Sequence, residues 1–376
     1  MKRGIMALED NEERIEPSAP GEIDTAIAEN KKQSAELEND ADQIAETQSI
    51  DGALGEMQTT AEAAVESGEG LSEETASTME AALEHFTKRL GYSKKVIPAL
   101  EGFSDKATCL EKTKITLENL KTLRSGIDKN LAIAQEGMLS NIFDSISKTF
   151  STFSGIEKSL REAHAEFKQN GPNGKTFKSP GWGRAIAKFM TLQDSDRPED
   201  VTKELIEFAV WSDKHLIRWV NDSIAIMDQI NSIIPDQMFV KSTDAMADVL
   251  NHLVEKVKED GSYLFNRNLK MSSISKNITE FEALTEKSEK QIFEASIHLV
   301  ADPKYREAFG KLAYLNRKMA AKATGGARGE SHAKTYRAIS QAKQIVMELT
   351  LAARGVYELH CDVAHSLSKY IQASTK

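Results

Sequence analysis

Pro17, Pro20, Pro98, Pro172, Pro180, Pro198, Pro235 and Pro303 are the only prolines, and the intervals between them set what this chain can fold into. Residues 21–97, 99–171, 199–234, 236–302 and 304–376 are free of proline, so each can carry an uninterrupted helix. Apolar spacing uses that freedom. Ala76, Met79, Leu83, Phe86 and Leu90 recur at three- and four-residue steps between a capping Ser72 and Gly91, which predicts a helix over 73–90. Leu110, Leu117, Leu120, Ile127, Leu131 and Ala134 predict another over 104–136, with Ser104 as its cap and Gly137 as an interruption, and Phe143, Ile146, Phe150 and Phe153 continue the spacing beyond. GPNGKTFKSPGWG at 171–183 reads as a loop, because Gly and Pro at that density do not hold a helix. Helices are then predicted over 199–234, 243–259, 273–300 and 304–324, followed by a glycine turn at 324–330. A last helix, over 332–371, follows from Ala342, Ile345, Leu349, Ala352, Val356, Leu359, Val363, Leu367 and Tyr370. Roughly 40 helical residues span about 60 Å. The fold class expected is therefore all-α, an elongated bundle of long amphipathic helices with coiled-coil-like packing.

Charge divides the chain. Residues 1–101 hold 23 acidic and 9 basic side chains, net −14, whereas 102–376 hold 35 and 39, net +4. All 24 aromatics lie at or beyond Phe86. An acidic, aromatic-free stretch with Pro17, Pro20 and four glycines between 52 and 70 is expected to be disordered or loosely helical. Two units follow: a propeptide-like acidic leader, 1–101, and a helical body, 102–376.

The sequence holds few candidates for chemistry. Cys109 and Cys361 are the only cysteines, which argues against a disulfide framework and fits a reducing compartment. The first residues turn acidic after Leu8, so no secretory signal is expected, and no run of about 18 apolar residues suggests a membrane span. Gly174-Lys175-Thr176 resembles the end of a phosphate-binding loop, but Gln169 stands where its first glycine belongs. Cys361 and His365 stand one helical turn apart, with His360 about 100° away; two ligands make no structural zinc site, and a packed helix flank is the plainer reading. Paired carboxylates such as Glu73 and Glu74 lack a pocket to perturb them. No cofactor, metal or catalytic residue is expected, and the chain reads as a non-enzyme.

One basic stretch stands out. Lys304, Arg306, Lys311, Arg317, Lys318, Lys322, Arg328, Lys334 and Arg337 face only Glu307 and Glu330 over 34 residues. Such runs usually just solubilise a surface. The functional reading is a set of contacts to a phosphate backbone, independent of sequence, with Gly325, Gly326 and Gly329 allowing close approach.

At the charge boundary lies HFTKRLGYSKKVIPALEGF, 85–103, between a helix ending at Gly91 and one starting at Ser104, with Pro98 between them. Backbone of that kind suits a protease, although an interdomain linker reads the same way. From about 72 to 235 the chain, with its RLGY, VIPALEGF and KATCLEKTKITLENLK segments, resembles the internal head proteins of phiKZ-like giant tailed phages. The resemblance implies a virion structural protein, made in the host cytoplasm, packed inside the head as a precursor and trimmed by a prohead protease after a small-residue-x-Glu site. Its implied partners are other inner-head proteins, that protease and, through sequence-independent contacts, genomic DNA. Ala99-Leu100-Glu101 fits the site pattern and places the cut after Glu101; Ala7-Leu8-Glu9, Ser67-Gly68-Glu69 and Ala82-Leu83-Glu84 fit it too. The competing reading is a cytosolic helical interaction or adaptor protein whose acidic tail is permanent, since the 342–370 spacing would equally serve an oligomer seam.

Overall fold

The computed structural model describes residues 20–91, 106–178, 217–234, 244–260, 280–320, 322 and 333–376. These form α1 (Pro20–Glu66), α2 (Glu73–Arg89), α3 (Lys106–Asn170), β1 (Thr176–Lys178), α4 (Ile217–Ile233), α5 (Asp244–Asp260), β2 (Glu280–Glu282), α6 (Glu286–Ala301), α7 (Pro303–Ala320) and α8 (Ala333–Ser374). The protein is all-α, as expected. The two strands, each three residues, pair antiparallel with Phe177 opposite Phe281.

Several boundaries differ from the expectation, each for a physical reason. Helix α3 runs 65 residues, about 100 Å, straight through Gly137. A mid-helix glycine costs about 1 kcal/mol, and burial of Met138, Leu139 and Ile142 beside it offsets that. Thr176–Lys178, expected as loop, is strand because β2 pairs with it; Glu280–Glu282, expected within a helix, is that partner strand, and α6 begins after it at the Thr285–Ser288 capping box. The part of the expected 199–234 helix before Ile217, the 324–330 turn and the start of the 273–300 helix lie outside the described residues. Ser72 caps α2 through Thr75, as its sequence implies.

The acidic segment departs most. Residues 20–66, expected to be disordered or loosely helical, form one continuous 47-residue helix that packs closely. It runs antiparallel to both α3 and α8: Asn30 meets Thr152 while Asp51 meets Arg124, and Asp24 meets His365 while Gln48 meets Ser340. The stripe that packs is built of Ile23, Leu37, Ala41, Ile44, Ile50, Leu54 and Ala61, sparse enough to look solvated in sequence yet spaced to one face.

Two cores lie along the length. The larger gathers α3–α8 and the first half of α1 around α8, which is buried on most sides. The smaller joins Ile50, Leu54 and Ala61 of α1 and Ala76, Met79 and Leu83 of α2 to Cys109, Leu117, Leu120 and Ile127 of α3. Gly70, at φ +74°, passes so close to α3 that a Cβ there would stand 2.7 Å from the Cys109 sulfur, and Leu71 is bonded both ways, to the Thr113 hydroxyl and from the Cys109 thiol.

His360 is fully buried, edge-on to Tyr305, and burial pushes its pKa down to about 3 against a hydrogen bond with the Leu299 backbone. The folded chain keeps it neutral while the unfolded chain protonates it near the ordinary histidine value. Its contribution is therefore complete above about pH 6.5 and is lost as pH falls toward 3, at about 1.4 kcal/mol per pH unit. Glu358, raised to about 7 chiefly by burial, has the opposite sign, losing stability as pH rises from the ordinary carboxylate range through 7. In urea unfolding, His360→Gln should lose about 2 kcal/mol less than the wild type between pH 7 and pH 5. Parallel profiles for the two proteins would remove the buried neutral imidazole from the account.

Candidate functional site: the seam beneath the acidic segment

Beside the apolar stripe that α1 lays on α3 and α8 runs a ladder of polar pairs. Asp24 takes bonds from His365 and Lys369, Lys31 pairs with Asp362 at 2.6 Å, and the Asn30 carbonyl accepts from buried Arg354 at 2.8 Å. Gln48 donates to the Ser340 carbonyl, which also accepts from Gln135 of α3.

Near its middle the ladder becomes a charge cluster. Arg124 donates through Nε to Asp51 Oδ1 at 3.0 Å and through Nη2 to Oδ2 at 3.2 Å, while Nη1 reaches Gln58 Oε1 at 2.9 Å. Arg337 of α8 approaches the same carboxylate at 3.6 Å. The Arg124 guanidinium lies against Gly55, where an added Cβ would meet Nη2 at 3.0 Å and Cζ at 3.2 Å. Burial first, and Arg124 second, lower the Arg337 pKa, with Asp51, Asp128 and Glu62 opposing. Asp128 is raised to about 6, by burial and then by the like charge of Asp51. One turn before Arg124, Lys121 pairs with Glu62 at 3.7 Å.

Sequence reasoning passed over Arg124 and Asp51, yet one signal was available. In the run Leu117, Leu120, Arg124, Ile127, Leu131 the arginine takes a core position of the apolar stripe. A charge in that register requires a partner from the facing helix, and Asp51 falls at the matching place on α1.

The basic stretch is divided by the structure. Lys304, Lys311 and Lys318 recur every seven residues along one side of α7, about 10 Å apart along its axis, the first two exposed and Lys318 half-buried. Tyr314 is exposed on that side as well. Arg306 is paired with Glu157 at 2.9 Å, and Arg317 stands 5.5 Å over the Phe143 ring. Lys322 must be taken out of the exposed set: it is buried, with its ammonium on the carbonyls of Asn231 and Ile234 at the end of α4. Arg337 belongs to the cluster beneath α1. Arg328 lies outside the described residues, as does the Lys334 side chain.

Ala99, Leu100 and Glu101 also lie outside them, as does Glu9. The other two small-x-Glu tripeptides named above are placed. Glu84 is inside α2 with Leu83 buried, and Glu69 is exposed in the α1–α2 turn, immediately before the pinned Gly70 and Leu71. His360 and Cys361 are buried in the core and His365 turns to Asp24, so the cluster near the C-terminus divides between two surroundings. Among the described residues no three His, Cys, Asp or Glu side chains are grouped to hold a metal, and no helix is long and apolar enough to cross a membrane. An open groove of about 420 Å³ between α1 and α3 has Asp40, Gln43, Thr47, Asn130 and Asn141 as its polar lining.

The described residues form a bundle of long helices that offers no catalytic or metal constellation among them. The family model for phiKZ-like phage internal head proteins matches residues 13–214, over half of the chain. The chain belongs to that family, which makes it a structural component carried inside the phage head and gives it virion proteins as partners. The match includes α1, α2 and α3, so it begins well before residue 72, where the sequence resemblance starts. No curated protein matches, and no solved structure matches.

Proposed function

We propose that this internal head protein works without catalysis, as a precursor whose acidic leader covers the basic body until a prohead protease cuts after Glu101. The observation that carries the reading is the seam itself: Asp51 and Glu62 of the leader sit on Arg124, Arg337 and Lys121 of the body. The charge boundary at 101 supports it, since removal converts a net −10 chain into a net +4 body. Small-x-Glu tripeptides within the described leader are all held: Glu36 and Glu66 lie in α1, Glu74 and Glu84 would need α2 unwound, and Glu69 would need Gly70 and Leu71 lifted from α3, which favours Glu101 as the first cut. A cut after Glu101 detaches the chain beyond α2 from the body, so α2 frays more readily, Glu84 and then Glu69 follow, and the leader is lost in pieces.

In the mature body, Lys304, Lys311, Arg317 and Lys318 make sequence-independent contacts to packaged DNA, with Arg306, Arg328 and Lys334 as further candidates. Protein recovered from particles should bind a duplex more tightly than the precursor does in the same buffer. Three to five phosphate contacts give a log–log salt slope of roughly −3 to −5. Replacing Lys304, Lys311, Arg317 and Lys318 with glutamine should flatten that slope more than replacing four lysines elsewhere. An anisotropy titration at several salt concentrations reads both, and no affinity at low salt would restrict the protein to contacts with other head proteins.

A second reading keeps the leader in place after the cut. The smaller core favours it, because α1 and α2 supply most of its apolar side chains.

A further inference from the structure

Among the described residues, the side chains that hydrogen-bond Arg124 come from α1. Asp51 occupies Arg124 with both carboxylate oxygens, Gln58 takes its remaining terminal nitrogen, and the bare backbone at Gly55 lets the guanidinium lie flat beneath the helix. Arg337 is left 3.6 Å from the shared oxygen, with no acceptor in hydrogen-bonding range of its Nε. The cations themselves stand on α3 and α8. Without α1 the same ground carries Arg124, Arg337 and Lys121 against one carboxylate, Asp128.

A guanidinium fork that holds a carboxylate through two parallel bonds has the geometry that holds a phosphate. A phosphodiester directs its two free oxygens along a tetrahedron, so Arg124 and Arg337 can each take one, where the planar carboxylate satisfies only the first. We propose that Asp51 stands in for a phosphate: Arg124 and Arg337, with Lys121 a turn away, form an anion site that α1 plugs in the precursor and that takes a backbone phosphate of duplex DNA in the mature protein. This rests on the reading that the leader is removed. Duplex DNA is the occupant favoured by the family's place inside the head and by a site that gains two net positive charges when its cover leaves.

The first test uses the full chain. Asp51→Ala, and Asp51→Asn as the variant that keeps the side chain's size, are melted in sodium phosphate and in sodium chloride at equal ionic strength. The half-buried Arg337 gives phosphate a way in. Both variants should melt below the wild type and recover several degrees in phosphate but not in chloride, and adding Arg124→Gln should abolish the recovery. Equal melting of both variants in the two salts overturns the anion site and leaves a pair that only fixes helix register.

The second test uses the processed protein from particles, in which Arg124→Gln with Arg337→Gln should make the duplex salt slope shallower by about 2. An unchanged slope alongside phosphate recovery overturns duplex DNA as occupant and assigns the site to free phosphate. Particles holding only uncut chain would defeat the maturation reading, while phosphate recovery in Asp51→Ala would still establish the site.

Discussion

Glu101→Gln should leave no body starting at residue 102 in assembled particles, while Glu9→Gln leaves the main product as in the wild type. Glutamine keeps the size of the side chain and removes the charge at the position a small-x-Glu protease reads, so the effect is close to all-or-none. Glu84→Gln and Glu69→Gln separately test the order of cutting. If Glu101 opens the way, each should yield the 102-start body together with a longer leader fragment. Intact masses from purified particles decide among these outcomes. A 102-start body from Glu101→Gln would move recognition elsewhere. Native and denaturing separation of the same sample then distinguishes loss of the leader from its retention. A leader that comigrates natively, and parts only in denaturant, is held by Ile50, Leu54, Ala61, Ala76, Met79 and Leu83.

Most of the helical order was legible because it rests on a local signal. Proline-free intervals and three-four spacing set α2, α5, α7 and α8 to within a few residues, and both Ser72 and Gly91 mark the ends they were expected to mark. Partner-dependent features were not legible. Thr176–Lys178 is a strand only because Glu280–Glu282 lies alongside, and the packing of α1 depends on faces of α3 and α8 that share no local pattern with it. The basic stretch shows the same limit. Counting charge along 304–337 could not separate Lys322, consumed by the end of α4, from Lys311, left in water. Of that stretch, the described contacts of the acidic segment reach only Arg337; its other basic partners there, Arg124 and Lys121, stand on α3.

Replacing Asp51 and Arg124 singly and together should separate what their pairing does for stability from what it does for recognition. Asp51→Leu strands a guanidinium whose side chain is only 4% exposed, and Arg124→Leu strands the carboxylate; either loss should cost about 3–5 kcal/mol of unfolding free energy. The double replacement removes both desolvated charges and continues the Leu117, Leu120, Ile127, Leu131 stripe, so it should return to within about 1 kcal/mol of the wild type or exceed it. Urea unfolding of the four proteins gives the cycle. If the double variant is as weak as the sum of the singles, the pair is not coupled and the geometry at 3.0 and 3.2 Å carries no energy of its own. A stable double variant whose processed form nevertheless binds duplex DNA with a shallower salt slope would show why the ions are kept. A leucine pair would hold the helices together as well, but it would leave no arginine behind when the leader departs.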